Sequence, residues 1–392
     1  MMELTQEKLD VTLKKRSNIF NWRGQFTPEF VEYILDIVDL NPNSVVADPF
    51  VGSGTVLIEA FKKNYKSIGF EINPAAFQMA SFYQYSNLNL NERHSFLLEI
   101  SKKLQSITSN LNGQLVYTNS ESYRESYTEF IKISKKINAL SNSNDQSFLM
   151  NILFASEKDK KLTIKNSLWR SFKSFENTLL NLPFNNNTVE VHNLDARLIG
   201  ALYENQVDLI ITSPPYINVF NYHQNHRAVT ESFDYNILNV AHSEFGSNRK
   251  NRGNRLLTVV QYIMDMEQSL DSFWTSLKPN GKMVMVLGRE SNVRKTPFYN
   301  GQIIKELITE MNSFSIISQC NRTFQNKFGK NIVEDILIIE KKTKTNATIG
   351  VAKKIAEKHI IEARKFAPTD VLNDFDDVLK RINEVKNSPI YK

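Results

Sequence analysis

A tight turn between a short apolar strand and a helix has the residue types of a ligand-binding loop. It lies in the segment Asp48–Thr55, which reads DPFVGSGT and follows the β-branched residues Val45 and Val46. Gly52 and Gly54 allow positive φ and a close approach of the backbone to a ligand. The segment is neither a dinucleotide fingerprint, because the third glycine is missing, nor a phosphate-binding loop, because no Gly-Lys-Ser/Thr follows. An acid at the end of the strand suits a cationic ligand, and S-adenosylmethionine carries a sulfonium and an ammonium group.

Polar residues also follow the next two predicted strands. Glu71 ends the strand Lys66–Glu71, Asn73 lies two residues further on, and Asp195 follows the strand Thr188–His192. Nucleotide-like ligands bind at the carboxyl ends of parallel strands, and a carboxylate at the tip of the second strand can accept both ribose hydroxyls of an adenosine. We expect Asp195 to lie where the adenine amine would be bound.

A double-proline turn is the second candidate for chemistry. Ser213, Pro214, Pro215 and Tyr216 directly follow Val207–Thr212, which is predicted to be a buried fourth strand. Proline fixes φ, so the turn is rigid. The composition makes a chance Ser-Pro-Pro-Tyr rare, and its place after a strand makes it rarer.

Short apolar strands that alternate with helices would position these turns. Helical patterns at Thr27–Leu40 and Thr55–Asn64 lie between them. This alternation predicts an α/β fold with a mostly parallel sheet covered on both faces. The predicted strands are Ser44–Asp48, Lys66–Glu71, Thr188–His192, Val207–Thr212, Lys282–Leu287 and Glu334–Glu340.

Three further stretches do not follow this alternation. Residues 83–187 are rich in Ser, Asn and Lys and are predicted to form a largely helical insertion between the second and third strands. Residues 217–255 read as a loop that ends in positive charges, and residues 346–392 as a charged helical tail at the periphery. The predicted core is therefore made of residues 1–82 and 188–345.

The overall composition narrows the class of protein. The chain has 392 residues, 41% of them hydrophobic, with a net charge of +6 and a pI near 9.0, which favours a polyanionic partner. No apolar run reaches about 18 residues, so no membrane span is expected. The polar N-terminus does not fit a signal peptide, and we expect a cytoplasmic protein.

Cysteine and histidine usage gives no sign of a metal site. The single cysteine, Cys320, excludes an intramolecular disulfide framework and a four-cysteine zinc site. The closest histidines, His223 and His226, have no cluster of further ligands around them and are interpreted as polar loop residues. No metal is expected.

Two of these segments resemble a known family. Asp48–Thr55 and Thr212–Tyr216 resemble the hallmark motifs of the S-adenosylmethionine-dependent amino-methyltransferases of DNA, which methylate adenine N6 or cytosine N4. Asn21–Pro28 resembles the segment that flanks the methionine end of the cofactor in that family. The resemblance covers most of residues 20–82 and 188–340. It implies a Rossmann-like methyltransferase fold with a seven-stranded sheet, S-adenosylmethionine as cofactor, and a role in a restriction–modification or related bacterial or phage system.

The chemistry of such a reaction suits the double-proline turn. An exocyclic amine is a poor nucleophile because its lone pair is delocalised into the base, so catalysis needs hydrogen-bond acceptors that draw the amine towards tetrahedral geometry. The Ser213 hydroxyl and the Pro214 carbonyl can supply them, and Tyr216 can stack on a flipped base. Methylation at cytosine C5 needs a thiolate, and Cys320, which is distant from the turn and more simply a buried strand residue, does not fit that role.

The site residues follow from the motifs and the resemblance. The expected catalytic residues are Ser213, Pro214, Pro215 and Tyr216. The expected cofactor-binding residues are Phe26, Thr27, Asp48, Pro49, Phe50, Gly52, Ser53, Gly54, Thr55, Glu71, Asn73 and Asp195. Serine at the first position of the catalytic motif favours cytosine N4 over adenine N6 within the family, although a hydroxyl can accept from either amine.

Recognition of double-stranded DNA is expected outside the common core. The insertion at 83–187 is the candidate recognition region, with a helical packing element as the alternative reading. Gly288–Arg294 is a candidate wall of the base pocket. Positive side chains beside the catalytic turn are either phosphate ligands or a solvated charge run. They are Arg249, Lys250, Arg252 and Arg255.

Other functions remain open at this stage. An RNA amino-methyltransferase would share the Pro-Pro-Tyr turn, but no RNA-binding module is recognisable. A non-catalytic DNA-binding protein on the same fold would be expected to have degenerate motifs, and both motifs are intact. A fused restriction endonuclease would need a carboxylate–lysine cluster, and none stands out.

Overall fold

A computed structural model describes residues 4–111, 120–157, 159, 161–217, 222–246, 253–325, 329–342 and 349–392. The strands are β1 (Val45–Asp48), β2 (Lys66–Phe70), β3 (Val189–His192), β4 (Val207–Thr212), β5 (Leu277–Gly288), β6 (Ser291–Val293), β7 (Thr296–Phe298), β8 (Phe314–Gln325) and β9 (Asn331–Lys341). The helices of the first half are α1 (Gln6–Asp10), α2 (Pro28–Ile37), α3 (Thr55–Lys62), α4 (Pro74–Ser81), α5 (Leu90–Thr108), α6 (Ser120–Leu140), α7 (Gln146–Glu157) and α8 (Ile164–Leu180). Those of the second half are α9 (Ile199–Leu202), α10 (Arg227–Ser232), α11 (Ile237–Ser243), α12 (Leu256–Ser276), α13 (Asn300–Met311), α14 (Ala352–Arg364) and α15 (Leu372–Arg381).

Seven strands form one mixed sheet in the order β3-β2-β1-β4-β5-β9-β8. The first five pair in parallel, whereas β9 is antiparallel to both β5 and β8. The predicted Rossmann-like fold with a mostly parallel seven-stranded sheet is confirmed. The strand order reverses between β1 and β4, and in such sheets this switch point opens a crevice at the carboxyl ends of the strands.

The six predicted strands are all present, with ends shifted by a few residues. β8 was not predicted, because most of its residues are half-buried or exposed and it forms an edge of the sheet. Cys320 lies in β8 as a strand residue but is only half-buried. Burial raises the pKa of its thiol to about 11, which opposes formation of a thiolate.

The sheet is covered on both faces, since successive strand residues point to opposite sides. One face packs on α2 and α3 through Val46, Leu209, Val284 and Ile336. The other packs on α12, α13 and α14 through a second set: Ala47, Ile210, Met283, Met285 and Leu337. This layering holds the strand ends in fixed positions around the crevice.

The insertion and the tail both pack on this core. Helices α5–α8 lie between β2 and β3 in the chain and share an apolar cluster with α3 and α4 that includes Phe82, Phe148 and Phe172. We expected a peripheral tail, and this was wrong. Ile360 of α14 and Phe375 of α15 are fully buried in the main core. None of the helices in the described ranges is long and apolar enough to cross a membrane.

Candidate active site

A pocket lies at the carboxyl ends of β1, β2, β3 and β4, where the strand order reverses. The two predicted motifs meet in its wall, together with loops that are distant in sequence. Its lining residues are 22–26, 48–52, 55–56, 70–73, 194–196, 213–216, 222 and 244–245.

The glycine-rich turn needs its glycines for geometric reasons. Gly52 has a φ of 53° and Gly54 a φ of 92°, a region that other residues rarely adopt. A Cβ on Gly54 would lie 2.7 Å from the ring of Tyr83, and a Cβ on Gly52 would lie 3.3 Å from the ring of Trp22. The turn is therefore closely packed between two aromatic side chains.

Two carboxylates line the pocket, those of buried Asp48 and half-buried Glu71. Asp48 accepts hydrogen bonds from the Thr212 hydroxyl (2.6 Å) and from the Phe50 amide (3.1 Å). Glu71 accepts from the amides of Gly52 (3.0 Å) and Asn73 (2.8 Å). Burial raises the pKa of each carboxyl to about 7, against the opposing effect of these hydrogen bonds. Neither carboxylate forms an ion pair with any residue that the structure describes.

The segment before α2 packs over the glycine turn and is hydrogen-bonded to it. The Ser53 hydroxyl donates to Gln25 (2.6 Å), and the Thr55 hydroxyl donates to Asn18 (3.2 Å). Asn18 in turn donates to the carbonyl of Phe26 (2.8 Å). The Ser53 side chain thus binds the segment before α2 to the glycine turn and does not line the pocket.

The expected cofactor-binding residues fall into two groups. The pocket wall includes Phe26, Asp48, Pro49, Phe50, Gly52, Thr55, Glu71, Asn73 and Asp195. It does not include Thr27, Ser53 or Gly54. Asn73 caps α4 through its side-chain oxygen, and its Nδ2 is buried without a partner among the described residues.

Asp195 does not have the free carboxylate that we expected near an adenine amine. Its two oxygens already accept from Arg197 Nε (2.8 Å) and Nη2 (2.6 Å), and from the amides of Arg197 (3.0 Å) and Tyr391 (3.3 Å). A ligand amine would have to compete with four internal donors. The sequence does not reveal this, since Tyr391 lies 196 residues away.

The double-proline turn places its hydroxyl and its aromatic ring together. Ser213 Oγ lies 3.2 Å from the Tyr216 hydroxyl, which donates to Glu334 (2.9 Å). Gly288 allows this arrangement, because a Cβ there would lie 2.6 Å from the ring of Tyr216. Of the segment 288–294, therefore, Gly288 contacts the turn directly, whereas Arg289 pairs with Asp335.

Trp22 lies in the segment Asn21–Pro28 noted in the sequence, whereas three other pocket residues, Tyr222, Glu244 and Phe245, carried no signal there. The ring of Trp22 stacks on that of Tyr222, with centroids 6.0 Å apart. Glu244 and Phe245 enter from the segment before α12, and Phe245 packs against Phe50 at 5.3 Å. Only tertiary packing brings these residues to the crevice.

The two histidines that we interpreted as polar loop residues are paired, and His223 is buried while His226 is half-buried. His223 is 3% exposed and contacts Glu244 (2.7 Å), and His226 contacts Glu157 of α7 (2.5 Å). The second contact joins the segment after the double-proline turn to the insertion. Within the described ranges, no group of three or more His, Cys, Asp or Glu side chains is arranged to hold a metal ion.

The predicted phosphate ligands are described only in part. Arg255 is exposed at the start of α12. The other three, Arg249, Lys250 and Arg252, lie outside the described residues.

Comparisons with known proteins point to one family. Residues 8–82 match the model of a family described as DNA methylase, of the N6/N4 type. The type II methyltransferase M.MjaII of Methanocaldococcus jannaschii is 30% identical over 93 residues, which are 24% of this chain and 17% of that protein. The type II methyltransferase M.BsoBI of Geobacillus stearothermophilus is 32% identical over 94 residues, which are 22% of this chain and 18% of that protein. Each match thus spans less than a fifth of the curated relative.

Solved structures are similar only at the level of coarse outline. TrmN from Thermus thermophilus is 12% identical with a TM-score of 0.34, over 82% of this chain and 50% of that one. A SAM-dependent methyltransferase from Methanosarcina mazei is 12% identical with a TM-score of 0.33, over 77% of this chain and 94% of that one. Scores this low add nothing to the assignment, which depends on the sequence matches. The match over residues 8–82 contains the glycine turn and the carboxylates of Asp48 and Glu71, so this part of the chain is similar to the N6/N4 DNA methylases.

Proposed function

We propose that this protein transfers a methyl group from S-adenosylmethionine to an exocyclic amine of a DNA base, with cytosine N4 favoured over adenine N6. The observation that supports this most directly is that Ser213–Tyr216 and the carboxylate-lined glycine turn open into the same pocket. A methyl donor on one motif and an amine on the other would then lie side by side.

S-adenosylmethionine is the cofactor of this family, and the pocket residues fit it. A carboxylate withdrawn from water without a cation is costly, and burial raises the pKa of both Asp48 and half-buried Glu71. A sulfonium and an ammonium group would compensate them. The apolar side chains of Phe50, Ile72 and Phe245 line the same pocket and suit the face of an adenine ring.

Glu71 is the residue that we assign to the ribose. Each of its oxygens accepts one backbone hydrogen bond, from Gly52 and Asn73, and each has a further lone pair for a ribose hydroxyl. The unpartnered Nδ2 of Asn73 adds a donor nearby. The adenine contact that we first expected of Asp195 is left to the backbone of residues 194–196.

The amine would be held by the double-proline turn. S-adenosylmethionine supplies the methyl group as an electrophile, so the protein has to localise the lone pair of the amine and align it. Ser213 Oγ and the Pro214 carbonyl accept the two amine hydrogens, which favours tetrahedral nitrogen. The stacked rings of Trp22 and Tyr222 lie in the pocket wall and exclude water from the reacting groups.

Double-stranded DNA is the proposed substrate, and the insertion at 83–187 is the proposed recognition region. The insertion contacts the segment after the catalytic turn through Glu157 and His226, and again through Asn138 and Asp234 (3.0 Å). Readout of DNA on the insertion would thereby be linked to the catalytic turn. The names of the two type II relatives favour a restriction–modification setting.

The test is transfer of label from radioactive S-adenosylmethionine to unmethylated genomic DNA, followed by identification of the labelled nucleoside by mass spectrometry. We expect N4-methylcytosine, lost in Ser213→Ala and retained in Thr309→Ala, which removes an exposed hydroxyl from α13 outside the pocket and the insertion. Label in N6-methyladenine would change the proposed target base to adenine but would keep the protein a DNA amino-methyltransferase. Label in RNA alone would identify an RNA amino-methyltransferase, and no label together with no cofactor binding would identify a non-catalytic protein.

A further inference from the structure

A chain of hydrogen bonds runs from the catalytic turn into the sheet. Ser213 Oγ lies 3.2 Å from the Tyr216 hydroxyl, and that hydroxyl lies 2.9 Å from Glu334 Oε1. The other carboxylate oxygen, Oε2, accepts from Arg322 Nε (2.7 Å) and Nη2 (2.6 Å). Glu334 and Arg322 are each 7% exposed. Four side chains are thus linked from the pocket to β8.

The Glu334 carboxylate sets the direction of these hydrogen bonds. A carboxylate only accepts hydrogen bonds, so the single hydrogen of the Tyr216 hydroxyl points at Glu334. The contact between Ser213 and Tyr216 can then be a hydrogen bond only if Ser213 donates. At 3.2 Å it is long for two hydroxyls, so it orients the serine more than it stabilises the fold. The remaining lone pairs of Ser213 Oγ stay available to accept.

The register of the sheet holds the far end of the chain in place. Glu334 of β9 is the register partner of Gly288 on β5 and of Arg322 on β8. Gly288 contacts the ring of Tyr216, and the Arg322 guanidinium lies 4.2 Å from the centre of the Phe30 ring. Burial and the charge of Glu334 hold the pKa of Tyr216 well above its ordinary value of 10, so its hydroxyl keeps its hydrogen.

We propose that Tyr216 and Glu334 are positioning residues that hold the Ser213 hydroxyl as a hydrogen-bond acceptor for the substrate amine. This inference rests on the proposed function, because it concerns the same amine. A serine free to rotate would present its hydrogen to the amine in part of its conformations and would then oppose tetrahedral nitrogen. Glu334 thereby acts on the reaction through two other side chains without contact to the substrate.

One substitution is expected to reverse the direction of the hydrogen bonds from Ser213 to Glu334. In Glu334→Gln, the amide oxygen must face Arg322, because both Arg322 groups donate there. The amide nitrogen then faces Tyr216 and donates to it. The tyrosine hydrogen is turned towards Ser213, and the serine hydrogen towards the amine. Removing the tyrosine hydroxyl from this variant breaks the reversed chain and releases Ser213.

The experiment is single-turnover methylation by wild type, Tyr216→Phe, Glu334→Gln and the double variant, with the full chain and saturating cofactor and DNA. We expect losses of about threefold to tenfold for Tyr216→Phe and of about thirtyfold for Glu334→Gln. The double variant should recover to about the rate of Tyr216→Phe. Glu340→Gln, on the same strand and face, should keep the wild-type rate within about twofold.

The rates of the variants distinguish a positioning role of Glu334 from a purely structural one. A double variant that is slower than both single variants would show that Glu334 acts only through stability, and the inference would be overturned. Calorimetric affinity for S-adenosylmethionine and the melting temperature are measured in parallel, and cofactor affinity should stay unchanged. If Glu334→Gln does not fold, Tyr216→Phe decides alone, and a rate within about twofold of wild type overturns the inference. If wild type itself transfers no methyl group to DNA, the proposed function fails first.

Discussion

Replacement of Arg197 by methionine tests how the tail supports the cofactor pocket. The Arg197 side chain is 2% exposed and pairs with Asp195 (2.6 Å) beside the pocket and with Asp265 (3.3 Å) of α12. It also donates to the carbonyls of Ser388 and Pro389, both at 3.0 Å. One cation therefore joins the loop after β3, a core helix and the end of the described chain.

The expected cost of Arg197→Met is large. Methionine has a similar volume but leaves Asp195 and Asp265, which are 1% and 0% exposed, without their cation. Breaking a buried ion pair by removing one partner costs about 3–5 kcal/mol in the free energy of unfolding. That is a large fraction of the roughly 5–15 kcal/mol that stabilises a typical domain, and it should lower the melting temperature on the order of 10 °C.

The loss should depend on pH in a defined direction. Burial already raises the pKa of Asp265, and Arg197 opposes that rise. Without the arginine, a protonated carboxyl needs no cation, so the variant should be closer to wild type at pH 5 than at pH 8. Cofactor affinity should fall as well, since residues 194–196 line the pocket.

The assay is thermal unfolding at both pH values, with calorimetric titration of S-adenosylmethionine. Arg381→Met is the control, because the pairs of Arg381 with Asp377 and Glu384 are exposed and should contribute less than about 1 kcal/mol. If Arg197→Met melts within about 2 °C of wild type at pH 8, the ion pairs of Arg197 do not stabilise the tail and the pocket.

Two further predictions concern the cofactor and the DNA. Asp48 and Glu71 have pKa values raised to about 7, so their contribution to the stability of the ligand-free protein is present at low pH and is lost as pH rises through about 7. A cationic cofactor favours the ionised carboxylates, so its affinity should rise between pH 5 and pH 7. For each carboxyl that releases a proton on binding, the rise is up to about tenfold per pH unit. Equal affinities at pH 5 and pH 7 would contradict the assignment of Asp48 and Glu71 to the cofactor. For DNA, Arg255→Ala should reduce the slope of log affinity against log salt by about 0.9 if Arg255 binds a phosphate, with Lys305→Ala on α13 as the control. An unchanged slope would leave Arg255 as a solvated charge.

The sequence revealed the parts of the site that depend on local signals. β-branched runs predicted the strands that carry Asp48, Glu71 and the double-proline turn, and the glycine spacing predicted the positive φ of Gly52. It could not reveal that Asp195 is committed to Arg197 and Tyr391, because the position of the tail depends on packing across the whole chain. The same is true of Glu244, which enters the pocket from a segment without a local pattern.

Glu334 shows a signal that was present in the sequence and could have been used. Ile336 and Ile338 of β9 face α2 and α3, and strand residues two apart share a face, so Glu334 lies in phase with buried positions. Burying an ionised carboxylate is costly unless it is paired, and this predicts a partner from the sequence pattern alone. The structure supplies Arg322 as that partner and Tyr216 as a second contact, so Glu334 lies where the sheet meets the double-proline turn. A charged residue in phase with an apolar strand face therefore predicts a pairing side chain near that end of the strand.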